Sequence, residues 1–132
     1  MFAADRASQA LGMRLISVAP GECEMRMRVR PDMLNGLASC HGGIIFALAD
    51  SAFAFACNSE GVPTVSAAAH IDHLAGAGEG DELSATARRL WQGGRSGLYE
   101  VVVADQGGRL IALFRGRSHR RNPAPSPQLD TK

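Results

Sequence analysis

The sequence lacks the features that mark membrane, secreted or nucleic-acid-binding proteins. It has only three cysteines, whose odd number and wide spacing fit neither a disulfide framework nor a zinc site. Its net charge of +1 gives no general reason to expect binding to nucleic acid or to an anionic membrane. No apolar run reaches the roughly 18 residues that a membrane helix requires, and residues 1–11 contain no apolar signal-peptide core. We therefore expect a cytoplasmic protein with reduced thiols.

What the chain does contain is typical of one globular domain. It has 132 residues, of which 45% are hydrophobic and 20% are charged. Near its end, Pro123, Pro125 and Pro127 follow a run of basic residues, and this composition favours disorder. We therefore predict a single domain over residues 1–119 and a disordered tail over residues 120–132.

Most of the chain shows the patterns of β-strands. From Glu22 to Arg30 apolar and charged residues alternate without a break, which indicates an antiparallel strand with one face in water. Gly-rich turns at 76–80, 93–97 and 105–108 suit strands joined in hairpins. The predicted strands cover residues 12–19, 22–30, 64–74, 82–92, 97–105 and 109–118, and a short helix covers residues 3–11.

Residues 42–57, GGIIFALADSAFAFAC, differ from the rest of the chain. Only Asp50 and Ser51 have conventionally polar side chains there, and the segment is too long for a typical strand. Ala and Leu favour a helix, and a helix that is apolar on all sides must be buried all round. We predict an α+β hotdog fold, in which a curved antiparallel β-sheet wraps around this long central helix.

Asp50 is the sharpest functional candidate. It shares a helical stripe with Phe53, Ala54 and Cys57. An unpaired carboxylate buried on an apolar helix is costly, so such groups rarely lack both a partner and a function. The alternative is that Asp50 and Ser51 simply lie on a solvent-exposed strip of the helix surface.

The start of the helix, Cys40-His41-Gly42-Gly43, is the second candidate. Free backbone N–H groups at a helix N-terminus stabilise negative charge, and glycines there would let a substrate carbonyl approach closely. The segment therefore has the elements of an oxyanion hole. An equally good interpretation is that Gly42 and Gly43 only permit a tight turn into the helix.

The two candidates together imply an oligomer. Asp50 lies eight residues after Gly42, which is roughly 12 Å along a helix axis, and the backward tilt of side chains recovers only a few ångströms. A catalytic group and an oxyanion donor must both lie about 3 Å from the reacting group. One helix can hardly meet this condition, whereas two antiparallel helices related by a twofold axis can. We therefore predict a homodimer with shared active sites.

Residues 33–61, MLNGLASCHGGIIFALADSAFAFACNSEG, closely resemble the phenylacetic-acid-degradation (PaaI-type) thioesterases of the hotdog superfamily. The HID of residues 70–72 resembles that family's TID, and ALFRGRSHR at residues 112–120 matches as well. The resemblance covers most of the chain. It implies a hotdog enzyme, commonly a homotetramer of two dimers, that hydrolyses phenylacetyl-CoA or a ring-hydroxylated relative.

The resemblance also implies roles for single residues. Asp50 corresponds to the catalytic carboxylate and Gly42 to the oxyanion-hole amide. His41 and Asn35 would line the same pocket from the facing subunit, and Gly43 would contact the substrate.

Two positions match the family less closely. Ser66 corresponds to a serine of related human-type thioesterases, although the local alignment slips there. Where the family often has LRPG, this chain has Leu74-Ala75-Gly76-Ala77, so the missing Arg-Pro changes the local loop and bears on a CoA contact.

A basic cluster lies near the end of the domain and comprises Arg115, Arg117, His119, Arg120 and Arg121. Because guanidinium forks match phosphate geometry, Arg115 and Arg117 are candidates for binding the phosphates of CoA. The alternative is an ordinary solvated strand end.

Two other groupings are weaker. His70, Asp72 and His73 suggest a metal site, but on a strand His70 and Asp72 share a face while His73 points away. Cys40 and His41 are adjacent, and neighbouring residues seldom form a nucleophile–base pair, so we interpret Cys40 as structural. We expect neither a metal nor a cofactor.

Two further functions fit the same residues. A hotdog hydroxyacyl-CoA dehydratase would use His41 with a carboxylate, and a non-catalytic module would bind an acyl-CoA without cleaving it. Release of free thiol, set against formation of an enoyl product or no product, distinguishes the three.

Overall fold

The computed structural model describes residues 1–121 and confirms the α+β architecture. Its elements in chain order are the helix α1 (Arg6–Ala10), the strands β1 (Arg14–Ala19) and β2 (Glu22–Arg28), the helix α2 (Gly42–Cys57), and the strands β3 (Thr64–His73), β4 (Glu82–Gly93), β5 (Ser96–Ala104) and β6 (Leu110–Arg120). All six predicted strands and both predicted helices are present, and α2 begins and ends where the sequence predicts.

The strands form one antiparallel sheet in the order β1-β2-β4-β5-β6-β3. Strand β3 follows α2 in the chain and pairs with β6, at the opposite edge of the sheet from β1. Register shifts in β1, β3 and β4 mark bulges, which bend strands and increase their twist. The sheet therefore curves around α2, as a hotdog fold requires.

Aromatic rings join the central helix to the inner face of the sheet. The ring centroid of Phe53 lies 5.4 Å from that of Tyr99 and 5.6 Å from that of Phe114. Phe46 also contacts Phe114, at 5.4 Å. Gly116 is required beside them, since a Cβ at that position would lie 2.8 Å from the Phe53 ring. These contacts fix which side of each strand faces the helix.

Strand β2 confirms the predicted alternation. Cys23, Met25 and Met27 are buried, and the charged residues between them point to the outer face. The three cysteines of the chain are free and buried.

The prediction that α2 is buried all round is wrong for the single chain. Leu48 and Ala52 are fully buried, but one side of the helix is uncovered. This side, the open stripe, consists of the exposed Gly43 and the half-buried Ala47, Asp50 and Ala54. The sheet covers only one side of a helix, and α1 adds cover at one point, where the Ser8 and Ser51 hydroxyls lie 2.8 Å apart.

Strand β3 is also uncovered. Every residue from Val65 to His70 is exposed, although this strand belongs to the same sheet as the buried strands. Because β3 is an edge strand, it also has one side without a neighbouring strand in the described part of the chain.

The predicted boundary after residue 119 falls inside a strand. Arg120 belongs to β6, and the N–H of Arg121 donates to the carbonyl of Pro63 at 2.8 Å. Residues 122–132 of the predicted disordered tail lie outside the described residues. Within residues 1–121, no helix is long and apolar enough to cross a membrane.

Candidate active site

The first turn of α2 leaves one backbone donor free. His41 caps the helix: its Nδ1 accepts from the N–H of Gly43 at 2.9 Å, and its carbonyl accepts from Ile44 and Ile45 at 2.9 and 3.2 Å. No hydrogen bond within residues 1–121 uses the N–H of Gly42. The structure thus leaves a donor at Gly42, where the resemblance places the oxyanion-hole amide.

The helix cap also determines which ring nitrogen of His41 can donate a hydrogen bond to a ligand. Because Nδ1 accepts a hydrogen bond, the neutral imidazole carries its hydrogen on Nε2. The side chain therefore presents one outward donor, while its other nitrogen holds the helix start.

Asn35 organises the loop before the helix. Its Oδ1 accepts from the N–H groups of Leu37 and Ser39 at 2.8 and 3.2 Å, and its own N–H donates to the Ser39 carbonyl at 2.7 Å. The loop also holds Ala38 at a φ of 60°, a conformation that is uncommon for residues other than glycine. The Nδ2 group of Asn35 makes no hydrogen bond within residues 1–121, so it is free to bind a ligand.

Two cavities flank the start of α2. One, of about 380 Å³, is lined by Gly42 and Ile45 of the helix, by Ser39 and Cys40, and by residues 73–76. The other, of about 350 Å³, is lined by residues 32–34, His41, Gly43 and Ile44. Gly42 thus lines the first cavity, while its neighbours His41 and Gly43 line the second.

His73 is a residue of this site that the sequence did not identify. It lies at the end of β3, and its ring approaches Gly42 so closely that a Cβ there would lie 3.3 Å from Cε1 and Nε2. The alternation correctly placed it on the face opposite His70 and Asp72, whose side chains lie 3.2 Å apart. Only the packing of β3 against α2 could show that this opposite face meets the helix start.

Asp50 is half-buried on the open stripe of α2. Burial raises the pKa of its carboxyl above the usual value of 3.8. No hydrogen bond or ion pair joins this carboxylate to another of residues 1–121. Its charge is felt by the neighbouring thiol: burial, with a smaller contribution from Asp50, raises the pKa of Cys57 to about 11.

Asp50 and the helix start do not meet within one chain. They lie on the same helix, eight residues apart, which is roughly 12 Å of helical rise. The structure therefore keeps His41, Gly42 and Gly43 together at the helix start and places Asn35 in the loop before them, but leaves the carboxylate apart.

Ser66 lies on the inner face of β3. It is paired in register with Ser118, which is buried, but is itself exposed because β3 lacks cover. It is directed toward the same side of the sheet as α2 and makes no side-chain hydrogen bond within residues 1–121.

Arg115 and Arg117 lie on the opposite side of the sheet. They alternate along β6 with Phe114 and Gly116, which face the helix, and both arginines are exposed. The structure therefore separates them from the helix start by the thickness of the sheet. His70 and Asp72 share this outer face, and residues 1–121 contain no cluster of His, Cys, Asp or Glu suited to a metal ion.

Comparison with known proteins gives the class of the protein. The family model of the thioesterase superfamily matches residues 37–112. The chain is 46% identical over 120 residues to acyl-coenzyme A thioesterase PaaI of Escherichia coli, covering 91% of this chain and 86% of that protein. It is 32% identical over 111 residues to human acyl-coenzyme A thioesterase 13, covering 82% of this chain and 79% of that protein.

Solved structures agree with this class. The structure of the Escherichia coli PaaI protein from the phenylacetic acid degradation operon superposes with a TM-score of 0.91 at 45% identity, covering 92% of this chain and 88% of that one. A structure of a point mutant of the phenylacetic acid degradation protein PaaI of Thermus thermophilus superposes with a TM-score of 0.85 at 38% identity, covering 89% of this chain and 100% of that one. The fold and these relatives define a hotdog thioester hydrolase. The chain belongs to the thioesterase superfamily.

Proposed function

We propose that this thioester hydrolase acts as a homodimer with two shared active sites, each formed by Asp50 of one subunit and the helix start of the other. One observation carries the proposal: the N–H of Gly42 and the carboxylate of Asp50 both lack a partner within residues 1–121, yet lie on one helix roughly 12 Å apart. Two helices packed antiparallel through their open stripes bring each Asp50 to the other's Gly42. The inner face of β3 extends the same contact surface.

The proposed reaction begins with the thioester carbonyl at the Gly42 N–H. Asp50 of the facing subunit either attacks the carbonyl carbon or takes a proton from a water that attacks it. Nε2–H of His41 and Nδ2–H of Asn35 position the thioester, with the backbone of Gly43 against it. Ser66 holds the water or the carboxylate. The two cavities beside Gly42 accommodate the acyl group and the pantetheine arm.

The acyl group is proposed to be phenylacetyl or a ring-hydroxylated phenylacetyl. Support comes from the Escherichia coli relative, whose structure is described as a protein of the phenylacetic acid degradation operon. Thiol release, measured for each member of a panel of purified acyl-CoA thioesters, tests this assignment. We expect the highest kcat/KM for the arylacetyl members, and an aliphatic preference would contradict it. An enoyl product without thiol release would indicate the dehydratase instead.

Asp50→Asn tests the carboxylate in the same assay. It preserves shape but removes the charge, and we expect kcat to fall by about 10²–10⁴ because base or nucleophilic catalysis is lost. A folded variant with near-normal turnover would overturn the role of Asp50.

The free N–H of Gly42 can be removed without breaking the helix. Proline is favoured at the first helical position, and His41, with φ −59° and ψ 133°, already has the conformation that precedes proline. Gly42→Pro should lower kcat by about 10²–10³, the usual cost of losing one oxyanion donor. Gly42→Ala is the matched control, since it adds a Cβ 3.3 Å from the same His73 ring but keeps the N–H.

Mixing the two defective subunits tests whether the sites are shared. In a heterodimer of Asp50→Asn and Gly42→Pro, one site receives both intact groups and the other receives neither. Random pairing should restore about a quarter of the wild-type activity. No recovery from a mixture shown to contain heterodimers would mean that each chain forms its own site. Light scattering of the wild-type protein shows whether dimers assemble into the tetramer that the resemblance implies.

A further inference from the structure

We propose that His73 is a second hydrogen-bond donor to the thioester oxygen, acting beside the Gly42 N–H of the same subunit. This inference rests on the proposed function, since it concerns the same reaction and the same oxygen. Neither the sequence pattern nor the comparisons assign His73 a role.

Few backbone donors are free at the start of α2. The N–H of Gly43 is occupied by Nδ1 of His41, and those of Ile44 and Ile45 by the His41 carbonyl. Of these backbone N–H groups only that of Gly42 remains free, and His41 lines the other cavity. Oxyanion holes in acyl-transfer enzymes generally use more than one preorganised donor. A second donor is therefore expected close to Gly42.

His73 is placed to supply it. The Cε1–Nε2 edge of its ring faces Gly42, with Nε2 3.3 Å from the position of a Cβ. A backbone nitrogen lies about 2.5 Å from its own Cβ position, so Nε2 lies within about 6 Å of the Gly42 nitrogen. One oxygen placed between them can accept from both at normal hydrogen-bond lengths of about 2.9 Å. Both residues line the 380 Å³ cavity, which gives that oxygen room.

The backbone of His73 is held in place, and its ring nitrogens make no hydrogen bond within residues 1–121. Strand β3 fixes the backbone of His73 opposite Ala112, and the next N–H, of Leu74, donates to the Ile111 carbonyl at 2.8 Å. The side chain of His73 makes no hydrogen bond within residues 1–121. The sheet therefore positions the residue beside Gly42, and its exposed ring is free to donate.

Two other polar groups of this cavity are less suited. The Ser39 hydroxyl already donates to the Ala77 carbonyl at 3.3 Å. Cys40 is buried, and burial raises the pKa of its thiol, which keeps it protonated and unreactive. His73 is thus the side chain best suited to donate to the thioester oxygen there.

In the proposed step, attack on the carbonyl carbon moves the π electron pair onto oxygen. The Gly42 N–H and the His73 N–H stabilise that negative charge, and His73 keeps its proton throughout. When the C–S bond breaks, the electron pair returns to re-form the carbonyl. The thiolate of CoA leaves; where Asp50 acts as the base, the thiolate takes the proton that Asp50 received from water, and where Asp50 is the nucleophile, it takes a proton from solvent.

His73→Phe and His73→Gln test the proposal, and His70→Phe serves as the control. Phe keeps the ring shape but loses the donor, so kcat should fall by about 10²–10³ with little change in KM. Gln retains an N–H donor, so kcat of His73→Gln should be at least about tenfold higher than kcat of His73→Phe. His70 lies on the same strand but on the outer face, paired with Asp72, so His70→Phe should leave kcat within about twofold of the wild type.

Two outcomes would overturn the assignment. One is a folded, dimeric His73→Phe variant with kcat within about threefold of the wild type, measured where Asp50→Asn and Gly42→Pro are inactive. The other is an equal loss in His73→Phe and His73→Gln, which would indicate a steric role. If Asp50→Asn itself keeps full activity, the proposed function fails, so the two failures are distinguishable.

Discussion

Strands β5 and β3 belong to the same sheet but have different surroundings. Along β5 buried and half-buried residues alternate without exception, because its inner face packs against α2. Along β3 only Thr64 is buried, although Ala67, Ala68 and Ala69 are apolar. The difference shows that one copy of the chain completes the centre of its sheet but leaves the β3 edge uncovered.

The open stripe of α2 shows the same contrast within the helix. Phe53 packs against β5 and β6 and is fully buried, whereas Asp50, less than one turn away, is half-buried and unpaired within residues 1–121. We infer that the uncovered strand and the uncovered side of the helix meet a second copy. Substitutions on the two strands test this comparison.

We expect the largest effect, a loss of folding, from a substitution on the inner face of β5. Val101 is completely buried on the inner face, so Val101→Asp places an unpaired charge in the core at a cost of several kcal/mol. Since net stabilities are about 5–15 kcal/mol, we expect the variant to be largely unfolded by circular dichroism. Val102→Asp, one residue on and facing outward, should remain folded. A folded Val101→Asp protein would contradict the described core.

The equivalent change in β3 should spare the fold but not the activity. Ala69 faces inward, in register with Gly116, and is exposed in the single chain. Ala69→Asp should give a folded monomer by light scattering, with kcat/KM lowered by at least about 10² because the shared site is lost. Ala68→Asp, on the outer face, is the control. A fully active Ala69→Asp dimer would exclude this face as the interface.

The pH dependence of activity tests whether burial or nearby positive charge has the larger effect on the pKa of Asp50. The reaction needs the ionised carboxylate, and burial raises the pKa of Asp50 above 3.8. Activity should therefore fall as the pH falls through this raised pKa, by about tenfold per pH unit below it. The measurement is a kcat/KM profile, with folding checked at each pH. A midpoint below 3.8 would mean that the positive helix end of the second subunit outweighs burial.

We expect the smallest effect from substitutions on the outer face of β6, the strand that lies between β5 and β3. Arg115 and Arg117 are exposed there, and neither side chain makes a hydrogen bond within residues 1–121. If these two candidates contact the phosphates of CoA, reversing both charges should raise KM for acyl-CoA by about tenfold. KM for the matching acyl-pantetheine, which lacks the nucleotide, should not change.

Arg28→Glu is the control for this measurement, since Arg28 is exposed on the outer face of β2. Equal changes in KM for acyl-CoA and acyl-pantetheine, or a change as large with Arg28→Glu, would favour an ordinary solvated strand end.

Local patterns in the sequence predicted much of the fold. The alternation of β2 and the apolar run of α2 gave the correct elements because strand and helix periods depend only on neighbouring residues. The same patterns selected Asp50 and Gly42, since a lone carboxylate and paired glycines stand out in an apolar helix. They also placed His73 on the face away from His70. These features the sequence determines by itself.

Only the tertiary structure decided what each face touches. It showed that His73 packs on Gly42, and that the open stripe and β3 remain uncovered. These facts depend on the order of strands in the sheet and on its curvature. Both bring together residues far apart in the chain, so no local pattern records them.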